Sequence, residues 1–283
     1  MVIIINDLIT YYYGLSDFNI YKLSKKNIVK WKEKSFYLEE VSDFDQVYQQ
    51  YNITFENPYF YKFIFNKENS IITNYNNKNY VLIEVNDKLR LSKYISIPLN
   101  QTIKLSWRDL WIEKSDFIEN YYSKIRNNNS LVNESFDYYL GLLELAIFYL
   151  NNYVNYYGYA YIQHKLFNYD DLYNPLNIKI DVKERDFAEY LKYIFINNEY
   201  NNINISELLR NNKDIYDFNL VIARVIYPNY YFDLLDEIID GNETETILNG
   251  LIIRSLEFEK YVNNIIEEVS LFYPIKKISF MRF

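Results

Sequence analysis

Over residues 1–86, apolar positions fall in short runs split by polar turns, the signature of strands with little helix between them. Ile20 to Lys32 and Ser35 to Val41 are rich in β-branched and aromatic residues and are divided by the turn-like Lys32-Glu33-Lys34. Ser42-Asp43-Phe44-Asp45 has the form of an N-cap followed by an acid three residues on, and predicts a short helix to about Tyr51. Tyr59 to Phe65 alternates weakly. Ser70 to Thr73 and Tyr80 to Val85 flank the polar turn Asn74 to Asn79. This half predicts a small, mostly antiparallel sheet with one helix.

From residue 87 the period changes. Leu89 to Gln101, with a single Pro98, is read as a connector. Ser106 to Arg126 predicts a helix, with Trp107 and Trp111 as part of a core stripe. In Ser135 to Tyr149, Phe136, Tyr139, Leu140, Leu143 and Ile147 follow the helical period, and Leu142, Leu145, Ala146 and Phe148 make the other side apolar. A helix apolar nearly all round is a buried one, so this segment is expected to be the axis of the second half. Tyr159 to Ile162 and Asn177 to Asp181 read as short strands flanking a polar loop from His164 to Asn174. Asp186 is expected to cap the next helix. Further helices are expected over Ile205 to Arg210, Ile215 to Tyr227, Tyr230 to Ile239 and Glu243 to Phe272, with breaks at Pro228 and Gly241. The fold class is therefore α+β, with a sheet-bearing domain over 1–86 and a helical domain over 87–283.

Composition narrows the chemistry more than it widens it. There is no cysteine, which removes disulfides, thiolate nucleophiles and structural zinc. There is one histidine, His164, so a two-histidine metal site is excluded. Tyr 33, Phe 19 and Trp 3, with 37 Asn and four Ala, fit an AT-rich coding bias better than a low-complexity tract, because the aromatics lie inside periodic segments. The net charge of -8 repels polyphosphates on average, which argues against a nucleic-acid partner. The basic stretch Lys22 to Lys34 reads as a solvated strand face. Met1 to Ile5 is apolar but lacks a basic n-region and meets Asn6 and Asp7 at once, unlike a signal peptide. No window of about 18 uncharged apolar residues occurs, so no membrane span and a cytoplasmic location are expected.

Gly14 is the sole glycine before Gly141, so no glycine-rich phosphate loop fits the first half. His164, between apolar stretches, reads first as a hydrogen-bonded scaffold residue and second as a catalytic base. Asp170, Asp171, Asp181 and Asp186 are the carboxylates nearest to it in sequence. Asp181 ends the run Ile178 to Ile180, expected as a buried strand, where a carboxylate can face a cleft and hold Mg²⁺, though a loop-capping role is the commoner use. Glu39 and Glu40 interrupt a buried strand, so at least one must point outward or pair.

A strand-rich first half, a connector and a helical second half with a loop-strand insertion form the plan of the protein-kinase-like fold. His164-Lys165-Leu166-Phe167-Asn168, then Ile180-Asp181, then Arg185-Asp186-Phe187-Ala188 resembles the aminoglycoside-phosphotransferase and choline-kinase superfamily. Its pattern there is H-G-D, a metal-binding Asn, a metal-binding Asp after Ile, and a helix opening D-L-A. Tyr138 to Ile147, Arg185 to Tyr190 and Tyr227 to Asp233 bring the chain closer to bacterial spore-coat-associated kinase-like proteins of that superfamily. The resemblance implies two lobes, with Asp181 as metal ligand and Asp171 or Asn168 as its partner.

The departures carry the functional expectation. Leu166 stands where the family has its catalytic Asp, and leucine accepts no proton. Glu39 stands where the β3 lysine would clamp the α- and β-phosphates, and an anion there repels them. Losing one positioned charge typically costs about a hundredfold in rate or more. The first expectation is a pseudokinase in a spore context that acts by binding, with a protein as candidate partner and no cofactor assigned. The second is an active small-molecule phosphotransferase using ATP and Mg²⁺, with Asp170 or Asp171 as base and Asp181 on the metal. The third is a structural coat protein with an exposed aromatic patch.

Overall fold

The computed structural model describes residues 2–23, 26–56, 61–85, 97–126, 129–165, 167, 175–239 and 245–275. The chain divides into two compact units. One holds Met1–Ile95 with Ile162–Ile180, the other Ser96–Tyr161 with Asp181–Phe283.

The first unit opens with a helix, α1 (Val2–Tyr13), where the sequence reading had foreseen strands and a single later helix. Its β-branched run hid a helical period. Ile5, Leu8 and Ile9 recur at i, i+3 and i+4 and pack in one buried cluster with Val29, Phe36 and Leu38. Strands β1 (Asn19–Leu23), β2 (Lys26–Trp31) and β3 (Lys34–Glu40) follow, then α2 (Phe44–Glu56), β4 (Tyr61–Phe63), β5 (Thr73–Tyr75) and β6 (Lys78–Val85). The sheet runs β1-β2-β3-β6-β4, with β5 also paired to β6, and these five pairings are antiparallel. The run Ile20 to Lys32 is thus two strands rather than one. Ile20, Val29 and Phe36 are register partners, so they share the face that α1 covers. Tyr37 and Glu39 lie on the other face by alternation.

The turn between β5 and β6 is tighter than the polar stretch Asn74 to Asn79 suggested. It uses Asn76 and Asn77, at φ 52° and 60°. A two-residue hairpin turn of this hand needs positive φ at both centres, which asparagine tolerates better than other side-chain-bearing residues.

The second unit begins with β7 (Ile97–Lys104), inside the stretch read as connector; Leu99 is buried there despite Pro98. Then come α3 (Trp107–Arg126) and α4 (Ser130–Tyr149). Next are β8 (Tyr157–His164), whose last three residues belong to the first unit, and β9 (Ile178–Asp181), which belongs to the first unit up to Ile180. Strands β7, β8 and β9 form a three-stranded sheet in that order. Helices α5 (Glu184–Ile196), α6 (Ile205–Asn211), α7 (Phe218–Ile226), α8 (Asn229–Ile239), α9 (Glu245–Ile253) and α10 (Ser255–Ser270) complete it.

Helix α4 starts five residues earlier than its apolar period, because the Asn129 side chain accepts from the Val132 amide. It buries a broad side but leaves Phe148 exposed, so it is not the all-round buried axis that its composition suggested. That place belongs to α7, where eight of the nine residues are buried, Arg224 among them. Asp217 caps α7, accepting from Asn219 N, and so starts it after Ile215. Asp186 is not a cap. The helix begins at Glu184, and Asp186 sits fully buried in its first turn, where an acid meets the positive end of the helix dipole. The long helix expected over Glu243 to Phe272 is two helices that meet at Arg254. This side chain donates to Phe195 O and Ile196 O, satisfying the last carbonyls of α5.

Candidate functional site

In the first unit, Glu39 and Glu40 end β3 and Ser42 and Asp43 lead into α2. With Gln46, Val47, Lys165, Leu176 and Asn177 they line a cleft of about 500 Å³. The local order follows from hydrogen bonding. Asp43 Oδ1 accepts from the Gln46 amide and starts the helix. Gln46 Nε2 donates to Leu176 O at 3.1 Å, and one turn on Gln50 Nε2 donates to Ile178 O at 2.6 Å, so α2 holds the strand that leads to the cleft floor. Gln50 Oε1 is buried and has no hydrogen-bond partner among the described residues.

The cleft is negative. Glu40 points outward and pairs with Lys78 at 2.8 Å, as one of the two acids had to; Glu39 is half-buried. Lys165 is the cation among the described lining residues, and burial pulls its ammonium down, with Asp43 offsetting this in part. His164, just before it, is buried and meets Phe167 edge-on at 6.2 Å. Leu166, Asn168, Asp170 and Asp171 lie outside the described residues.

In the second unit, Asp181 ends β9 with 6% of its surface exposed. Its oxygens are already engaged. Trp107 Nε1 donates to both, at 3.0 and 3.2 Å, Val182 N donates to Oδ1 at 2.9 Å, and Arg185 Nη1 lies 3.3 Å from Oδ2. Trp107 and Trp111 are core residues as expected, stacked at 5.8 Å, and Trp111 stacks on Tyr227 at 4.3 Å. The Arg224 guanidinium lies over all three rings.

Behind Asp181 runs a buried set of alternating charges that the sequence reading did not single out. Arg224 Nε donates to Glu189 Oε1 at 2.6 Å, and Lys192 Nζ approaches the same oxygen at 3.1 Å. Lys192 also donates to Tyr227 O and Asn229 Oδ1. Burial by itself raises the Glu189 carboxyl, but Lys192, Arg224 and Arg185 together outweigh it and hold it ionised. Burial lowers Lys192, and Glu189 restores only part of the loss. Arg185, Glu189 and Lys192 stand at i, i+4 and i+7 on a helix otherwise buried by apolar side chains. That spacing was the available signal: charges on an inward stripe must meet counter-charges.

A magnesium ion needs free carboxylate oxygens in its first shell. Asp181 offers oxygens that already accept from an indole, an amide and a guanidinium. Among the described residues no group of three or more His, Cys, Asp or Glu converges. Oxygens engaged in this way do not fit Mg²⁺. No helix among the described residues is long and apolar enough to cross a membrane.

Comparison with known proteins bears on the family and on the fold. The family model described as "Spore coat putative kinase YutH" matches residues 90–265. No curated protein matches the chain. The crystal structure of an aminoglycoside phosphotransferase from Alicyclobacillus acidocaldarius subsp. acidocaldarius DSM 446 is similar at a TM-score of 0.54 and 7% identity. The match covers 93% of this chain and 95% of that one. Spectinomycin phosphotransferase APH(9)-Ia, in complex with ADP and spectinomycin, matches at 0.41 and 9% identity over 94% and 92% of the two chains. The fold is kinase-like and α+β, as the sequence resemblance implied.

Proposed function

The chain belongs to the family so described, Spore coat putative kinase YutH, and from that membership we propose that it is a pseudokinase: a spore-associated protein that keeps the kinase-like frame and acts by binding. The cytoplasmic placement expected from the sequence is part of this proposal. The observation that carries it is the charge of the first unit's cleft. Glu39 and Asp43 line it against Lys165, with Glu40 tied outward to Lys78, and burial disfavours the charged form of Lys165.

The magnitudes favour exclusion of a triphosphate. A carboxylate about 6 Å from a phosphate charge costs about 3 kcal/mol at an effective dielectric near 20. A kinase sets a lysine against that charge; the sequence resemblance sets Glu39 at that position. Leu166, at the position of the proton-accepting Asp, supports the same reading, as does Asp181, which is tied to Trp107 and Arg185.

The test is a thermal-shift titration with ATP and Mg²⁺. The proposal expects Tm to move by less than about 1 °C at millimolar nucleotide. A rise of about 5 °C or more that Asp181→Asn abolishes overturns it in favour of an active phosphotransferase.

A further inference from the structure

Helix α2 carries two seams. Val47, Gln50 and Thr54 form the buried one. Phe44, Tyr48, Tyr51 and Phe55 recur at i, i+4, i+7 and i+11, about 100° round the helix from the first. Their 4-3-4 spacing is that of a coiled-coil seam. Yet this seam is open. Phe44 is 43% exposed, Tyr48 49% and Phe55 70%, and Phe65 at 46% extends the patch, its ring 6.0 Å from that of Tyr51. At ~200 Å² per aromatic side chain the four expose about 400 Å² of apolar surface in one stripe. That is as large as the biggest patch on a typical monomer, and such patches mark interaction sites.

We propose that this seam docks an amphipathic helix of a partner protein, with apolar residues at the same spacing and Lys or Arg along its flanks. Charge selects that occupant. Asp43 and Asp45 are exposed at the start of the seam, whereas in the adjoining cleft Glu39 lies with Lys165 and Glu40 is paired with Lys78. Lys62 alternates with the buried Tyr61 and Phe63 and so points to the other face of β4; Lys67 lies over the Tyr11 ring. A second copy of this chain brings the same carboxylates and a net charge of -8, so like charges meet. Area points the same way. The patch is about half of the ~800 Å² per partner that a stable interface covers, which suits a reversible helix contact and not a permanent dimer. The inference concerns α2 alone and stands whether or not the cleft takes nucleotide.

The test uses the full chain and a fluorescent synthetic helical peptide of about 18 residues. One form has Leu at the seam and Lys on the flanks; its counterpart has Glu on the flanks. Anisotropy is expected to give a Kd of about 10 to 100 µM for the Lys form and at least about tenfold weaker binding for the Glu form. Tyr48→Ser with Phe55→Ser is expected to weaken the Lys form at least about tenfold with Tm unchanged. If that pair lowers Tm, Phe55→Ser alone, at the most exposed position, serves in its place. Asp45→Asn is expected to narrow the preference between the two peptides. Equal binding of both forms, binding kept by the seam variants, or no binding to about 1 mM overturns the proposal. A wild-type dimer in sedimentation that the seam variants lose also overturns it, by giving the seam to a second copy.

Discussion

Replacing Trp107 by Phe separates two roles of one side chain. The phenyl ring keeps most of the contact with Trp111, but the indole N–H that donates to both oxygens of Asp181 is lost. Asp181 is buried and charged, and it keeps Val182 N and Arg185 as partners. Removing one donor from a buried ion costs about 1.5 to 3 kcal/mol, and the smaller ring adds about 1 kcal/mol for the space left behind. The expected loss is therefore about 3 kcal/mol in urea-induced unfolding at neutral pH. Trp111→Phe makes the same volume change without touching Asp181 and is expected to cost about 1 kcal/mol. In an Asp181→Asn background the Trp107→Phe loss is expected to shrink by at least about 1 kcal/mol, the mark of direct coupling. Equal losses for the two Trp variants, or strict additivity with Asp181→Asn, would refute the claim that Trp107 anchors this carboxylate.

Other consequences follow from buried charges and from one tight turn. Burial raises the Glu184 carboxyl to about 7 although it accepts from Asp217 N. Its folded value lies above its unfolded one, so the folded state holds the proton more tightly. Stability is full below about pH 4.5 and falls as pH rises to 7, by on the order of 3 kcal/mol; Glu184→Gln should flatten that segment of a stability-pH profile, and an unchanged slope would count against the assignment. Arg224→Met strips Glu189 of its closest partner and leaves Lys192 as its neighbour. A loss of about 3 to 5 kcal/mol is expected, and one below about 1 kcal/mol would mean that the network is not the buried unit described. Asn77→Val forces a β-branched residue to φ near 60° in the β5-β6 turn, which should cost about 1 to 2 kcal/mol in urea unfolding; no loss would mean that the turn relaxes freely.

What the sequence disclosed and what it hid have physical causes. Alternation and turn residues revealed the first-half sheet, because register forces apolar residues to every second position. The opening helix was missed, since Ile3-Ile4-Ile5 favours strand by propensity and only packing against Val29 and Phe36 decides for helix. The strand Ile178–Asp181 was legible because β-branched Ile178 and Ile180 alternate with polar Asn177, Lys179 and Asp181. Nothing in the chain links Trp107 to Asp181, 74 residues apart, so the state of that carboxylate became visible only in three dimensions. The α5 charges were closer to legible: Arg185, Glu189 and Lys192 share a stripe. Their partner Arg224 lies on a helix whose period is otherwise apolar. Glu39 and Glu40 were recognised as anomalous in a buried strand, and the cleft they line is where that anomaly leads.

The proposal that the cleft is too negative to hold a nucleotide is tested most directly by calorimetric titration of the full chain with Mg²⁺ and ATP. The account predicts no binding heat up to about 1 mM, with Glu39→Lys improving affinity because it replaces a repelling charge by an attracting one. A wild-type Kd below about 100 µM, weakened by Glu39→Lys, would contradict it.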